Sequence, residues 1–137
     1  NVMSFVTIST LGNAADFGDS LEDDYGQGSG NASNAVRSIL AGANNPGGNP
    51  LNTISFFSVS TLGNAQDFGD LSTVRRGAGA VASGTRAVFG GGRTPSDVNT
   101  IDYVQIMTTG NGVDFGDLTN TRSFNNAGMS NGHGGLG

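Results

Sequence analysis

Three runs of β-branched and aromatic residues stand out along the chain, at positions 3–10, 54–61 and 101–108. They read Met-Ser-Phe-Val-Thr-Ile-Ser-Thr, Ile-Ser-Phe-Phe-Ser-Val-Ser-Thr and Ile-Asp-Tyr-Val-Gln-Ile-Met-Thr. Such residues favour strands. Apolar side chains fall on both alternating faces, as at Phe5, Val6 and Ile8, which predicts strands sandwiched between two layers. No segment shows the recurrence every three to four residues that marks an amphipathic helix.

Each run leads into the same motif. It is Gly12-Asn13-Ala14-Ala15-Asp16-Phe17-Gly18-Asp19, then Gly63-Asn64-Ala65-Gln66-Asp67-Phe68-Gly69-Asp70, then Gly110-Asn111-Gly112-Val113-Asp114-Phe115-Gly116-Asp117. The copies are spaced by 51 and 47 residues, the period of a repeat architecture with one supersecondary unit per repeat. Gly-Asn tolerates positive φ and predicts a tight hairpin, with Asp-Phe-Gly-Asp opening the returning strand. Between copies lie a small-residue strand (Gly77-Ala78-Gly79-Ala80-Val81-Ala82-Ser83) and an apolar strand ending in glycines (Thr85-Arg86-Ala87-Val88-Phe89-Gly90-Gly91-Gly92), the latter with an earlier counterpart from Val36 to Gly42. Four short strands per period predict an all-β chain of about three four-stranded antiparallel blade equivalents, with a β-solenoid or β-sandwich of the same hairpins as the alternative. The expected division is 1–24 half blade, 25–75 blade, 76–122 blade and 123–137 half blade. The expected core is Phe5, Ile8, Phe17, Leu40, Phe56, Val59, Phe68, Val88, Phe89, Tyr103, Ile106 and Phe115.

Composition narrows the function classes. The 137 residues carry 24 glycines, which with low charge could mean disorder; the recurring Phe, Ile and Val decide for order. Eleven acids face six arginines and no lysine, a net charge of −5, so no nucleic-acid partner is expected. No apolar run approaches a membrane span. The absence of cysteine excludes disulfides, thiolate catalysis and cysteine-based zinc sites.

The motif aspartates Asp16, Asp19, Asp67, Asp70, Asp114 and Asp117 offer hard oxygen ligands and are candidate calcium ligands, but two carboxylates per repeat are few, and capping of turns is the simpler reading. No cofactor is therefore expected. Asp-Phe-Gly also marks protein kinases, yet here it recurs three times with no lysine anywhere to bind phosphate. Gly90-Gly91-Gly92 has no lysine or helix start after it and reads as a strand-end turn. His133, the only histidine, has no acid and serine with which to build a triad. Arg75 and Arg122 share one repeat position. They are candidates for contacting an anionic sugar, against the simpler reading of an ion pair with an aspartate of the neighbouring blade. Tyr25 is the candidate exposed aromatic for stacking on a sugar.

Phe89-Gly90-Gly91, Tyr103, Phe115 and the Leu-x-x-x-Arg of Leu118 to Arg122 together resemble the Kelch blade, with Phe17, Phe68 and Phe115 where Kelch blades usually carry tryptophan. The chain is more closely similar to Kelch-like repeat proteins of marine tailed bacteriophages, on Thr-Ile-Asp-Tyr-Val, Thr-Gly-Asn-Gly-Val-Asp-Phe-Gly-Asp-Leu-Thr, Thr-Arg-Ala-Val-Phe-Gly-Gly-Gly and the ending Ser130-Asn131-Gly132-His133-Gly134-Gly135-Leu136. The resemblance implies a β-propeller and a non-enzymatic virion structural protein: a tail-fibre, baseplate or head-decoration component located in the virion. Its expected partners are other virion proteins and a host glycan. Alternatives are a propeller-scaffold glycosidase, which needs positioned carboxylates in a pocket, and a cellular Kelch-type adaptor for protein partners. Closed propellers need four to eight blades. The segment is therefore expected either to complete a ring as a homo-oligomer or to be the C-terminal part of a longer chain beginning before Asn1.

Overall fold

The computed structural model describes residues 1–22, 28–124 and 128–130. Their regular structure is entirely β: eleven strands in three antiparallel sheets, with no helix among the described residues. The first sheet is a hairpin of β1 (Val2–Phe5) and β2 (Ala15–Asp19). The second is a meander of β3 (Gly30–Ser33), β4 (Arg37–Asn44), β5 (Pro50–Ser58) and β6 (Gln66–Asp70). In the third, β7 (Gly79–Ala82), β8 (Arg86–Gly90), β10 (Ser96–Gln105) and β11 (Val113–Arg122) repeat that meander, and the short β9 (Arg93–Thr94) adds to β10. The all-β expectation and the four-strand unit both hold.

The core strands sit earlier in the chain than expected. β5 and β10 begin at Pro50 and Ser96 and end at Ser58 and Gln105, so the last residues of each expected strand lie beyond the sheet. The tight Gly-Asn hairpin is also corrected. The returning strand pairs no further than Phe56↔Gln66 and Tyr103↔Val113, so Gly63-Asn64 and Gly110-Asn111 belong to long connections that leave their own sheet.

The motif phenylalanine occupies a β-bulge in all three copies. The registers run Met3↔Gly18 then Ser4↔Asp16, Ile54↔Gly69 then Ser55↔Asp67, and Ile101↔Gly116 then Asp102↔Asp114. Phe17, Phe68 and Phe115 are thus the unpaired extra residues. The bulge sets the next residue at φ 145°, 145° and 132°, where glycine is favoured. Asp16 Oδ1 accepts the Gly18 amide at 3.0 Å, and Asp114 Oδ1 the Gly116 amide at 3.1 Å, the local capping expected of these aspartates. Each bulged Phe meets an aromatic of the adjacent strand edge to face: Phe5–Phe17 at 6.1 Å, Phe56–Phe68 at 5.8 Å and Tyr103–Phe115 at 5.8 Å.

The sheets stack front to back. The second sheet buries Ile39, Ala41, Ile54 and Phe68; the third buries Ala87, Phe89, Val104 and Ile106, and these residues form one cluster. Arg37 and Arg86 are matching positions, pairing with Ser58 and Gln105. Ile39 therefore matches the half-buried Val88, and the two buried sets lie on opposite faces of equivalent sheets. The other face of the second sheet meets the first through Phe17–Phe57, with centroids 5.1 Å apart. A backbone thread follows the same progression. Gly77 N donates to Gly28 O at 3.0 Å, and Phe124 N to Gly77 O at 3.1 Å. Phe124, at φ 44°, holds the left-handed position that glycine holds at Gly28 and Gly77.

This stacking corrects the expected core. Phe68, Phe89 and Ile106 are buried, whereas Ile8 is 97% exposed and Phe5, Val59 and Phe115 are also exposed. Phe17, Leu40, Phe56, Val88 and Tyr103 are half-buried. Ile39, Ile54, Leu71, Ala87 and Val104 take the central places instead. A strand apolar on both faces buries both only where a sheet lies on each side, and the terminal sheets have one neighbour each among the described residues.

Candidate functional site

The motif's chemistry lies between repeats. Gly63 N donates to Phe17 O at 2.8 Å and Ala65 N to Asp19 O at 2.8 Å, while Asn64 Oδ1 accepts the Asp19 amide at 3.0 Å. One repeat later Gly110 N donates to Phe68 O at 2.8 Å and Gly112 N to Asp70 O at 2.7 Å, and Asn111 Oδ1 accepts the Asp70 amide at 3.1 Å. Each Gly-Asn loop therefore lies along the outer edge of the preceding bulged strand and satisfies backbone groups that an edge strand otherwise leaves open. The fit is tight. A Cβ at Gly18 or Gly69 would collide with the carbonyl oxygen of Gly63 or Gly110.

A buried ion pair crosses the second of these joints. Arg75 follows β6, and Asp102 lies within β10; their Nη2–Oδ2 distance is 3.2 Å, and both side chains are fully buried. Ser72 donates to Asp102 from its amide at 3.0 Å and from its hydroxyl at 2.7 Å, and Arg75 Nη2 donates to Phe89 O at 3.2 Å. Arg75 Nε and Nη1 have no hydrogen-bond partner among the described residues. Burial lowers the Arg75 guanidinium from its usual range, and the Asp102 carboxylate works in the opposite direction. The repeat pattern hid Asp102, because the matching positions of the other core strands hold Ser4 and Ser55.

The structure separates the candidate ligand residues. Arg75 is enclosed in the joint, away from any approaching sugar. Arg122 is exposed at the end of β11, its carbonyl accepting Gly92 N at 2.7 Å. Tyr25 and His133 lie outside the described residues. Asp16, Asp67, Asp70, Asp114 and Asp117 are exposed and Asp19 is half-buried. Among the described residues, no three His, Cys, Asp or Glu side chains come together as metal ligands would.

A groove of about 630 Å³ runs between the β3–β4 and β7–β8 turns. Among the described residues its lining holds no titratable side chain. Its polar atoms serve the turns: Asn34 Oδ1 accepts the Val36 and Arg37 amides, each at 2.8 Å, and Ser83 Oγ accepts the Arg86 amide at 3.1 Å. Asn34 Nδ2 joins the two turns through Gly84 O at 2.9 Å. These residues offer shape and amide contacts. Among the described residues no helix is long and apolar enough to cross a membrane. No protein-family model matches the sequence, and no curated protein matches it.

Proposed function

We propose that the chain is a stretch of Kelch-like β-propeller blades serving as a non-enzymatic structural or attachment component of a phage particle. One observation carries the non-enzymatic part. Four of the polar groups that recur with the repeat are engaged in its own backbone and joints: Asp16 and Asp114 at bulges, Asn64 and Asn111 at loops. Arg75 is likewise spent on Asp102, and the described residues that line the groove at the repeat boundary include no acid or base. Glycoside hydrolysis needs two carboxyl groups facing one bond. The blade reading draws support from the two equivalent meanders stacked front to back with a repeated joint. The phage assignment draws on the resemblance of the Val-Asp-Phe-Gly-Asp-Leu-Thr and Val-Phe-Gly-Gly-Gly stretches.

Two measurements test this reading. Peptide mass spectrometry of purified phage particles should find this chain among capsid and tail proteins; finding it only among non-virion proteins of infected cells would overturn the virion role. The purified protein should leave a panel of host-surface glycans uncleaved, and turnover of any one of them would overturn the non-enzymatic reading. Retention of a glycan on an array would select attachment over a purely structural role.

A further inference from the structure

The joint between repeats occurs twice inside the chain, and both of its halves recur, without a partner among the described residues, in the first and last sheets. Behind Phe17 and Phe68 the bulged strand receives a Gly-Asn loop. Behind Phe115 the same bulge, with the same glycine at φ 132°, receives none among the described residues, and the place of a Gly116 Cβ is empty to 4 Å. β11 is the edge of its sheet, so the outward backbone groups flanking this bulge face open space. At the other end Gly12-Asn13-Ala14 matches Gly63-Asn64-Ala65 and Gly110-Asn111-Gly112 but is exposed at all three residues, whereas the third residue of each docked loop, Ala65 or Gly112, is buried or half-buried.

The sheet faces complement each other in the same way. Val104 and Ile106 of the third sheet are buried against the Phe56–Phe68 side of the second. Their matches, Val6 and Ile8, follow β1 and are exposed. On the last sheet the matching receiving pair is Tyr103–Phe115, with Phe115 55% exposed. One end thus presents the inserting half of a joint and the other the receiving half, both built from the residues that already fit each other within the chain.

We propose that the Phe115 bulge and the Tyr103–Phe115 face seat the Gly12-Asn13 loop of a second copy of this chain. Gly12 N and Ala14 N donate to the carbonyls of Phe115 and Asp117, and Asn13 Oδ1 accepts the Asp117 amide, as their counterparts do twice internally. The contact joins two different surfaces. Copies therefore add head to tail, and the assembly closes into a ring or continues as a filament. The inference rests on the repeated joint and stands apart from the virion assignment.

Sedimentation velocity of the 137-residue chain from micromolar to millimolar concentration tests it. The mass should rise with concentration. Asn13→Ala/Ala14→Pro removes the loop's acceptor and one donor at exposed positions, and Phe115→Asp places a charge on the receiving face. Each variant alone should associate at least about tenfold more weakly. Mixed, they should form a dimer and nothing larger, because the first keeps an intact receiving face and the second an intact loop. Asn13→Ala alone replaces the double variant if circular dichroism shows Ala14→Pro disturbs the fold. A chain that stays monomeric throughout overturns the proposal and leaves the seat to a further repeat of a longer polypeptide. Association unchanged by both variants, or a variant mixture without the heterodimer, also overturns it.

Discussion

Phe68 and Phe115 are the same residue in the same motif, at the same bulge, each edge to face with an aromatic at 5.8 Å. Phe68 is 3% exposed and Phe115 is 55% exposed. The difference is supplied by the next repeat: the 110–112 loop lies along the edge of β6, and Val104 and Ile106 join the cluster that holds Phe68. The motif is therefore half of an interface, completed one period later. Much of the stability of stacked repeats resides in such neighbour interfaces, and the contrast between the two phenylalanines can be measured.

The largest effect is expected from truncating the buried member. Phe68→Ala should cost about 3–5 kcal/mol, as a cavity in a closed core does, whereas Phe115→Ala should cost under about 1 kcal/mol in the dilute chain. Equilibrium urea unfolding distinguishes them, and equal losses would mean that both sites are packed alike. Close behind comes the buried ion pair that crosses the joint between the second and third sheets. Asp102→Ala strands a buried guanidinium and should cost about 3 kcal/mol, while the apolar pair Arg75→Met/Asp102→Leu should recover most of that loss.

Backbone fit gives a smaller contrast. Gly69→Ala and Gly116→Ala both pay for a side chain at positive φ. Only the first also meets a carbonyl oxygen, that of Gly110, so it should be the costlier by about 2 kcal/mol in thermal unfolding. The smallest effect belongs to the loop amides. Asn111→Ala loses the bond to the Asp70 amide and should cost about 1 kcal/mol. Asn13→Ala should leave the melting temperature of the dilute chain unchanged, and a drop would show that Asn13 already has a partner within its own chain.

Residue types and spacing by themselves determined the all-β class, the period, and the four-strand unit seen in β3 to β6 and in β7, β8, β10 and β11. Strand preference and glycine placement are local properties and survive whatever surrounds them. They also marked the motif aspartates as backbone caps, which Asp16 and Asp114 are. Three things had to wait for the tertiary structure. Gly63-Asn64 reads as a hairpin turn because a docking loop with positive φ asks for the same residues; only the neighbouring sheet reveals which it is. Ile39 rather than Leu40, and Val104 rather than Tyr103, became central because both faces of these strands are apolar, and alternation alone cannot say which face meets a larger sheet. Arg75 found Asp102 because the joint brings the end of one repeat against the core strand of the next. Whether Phe115 is buried is decided by what stacks on it, and that is a property of the interface between repeats rather than of the repeat.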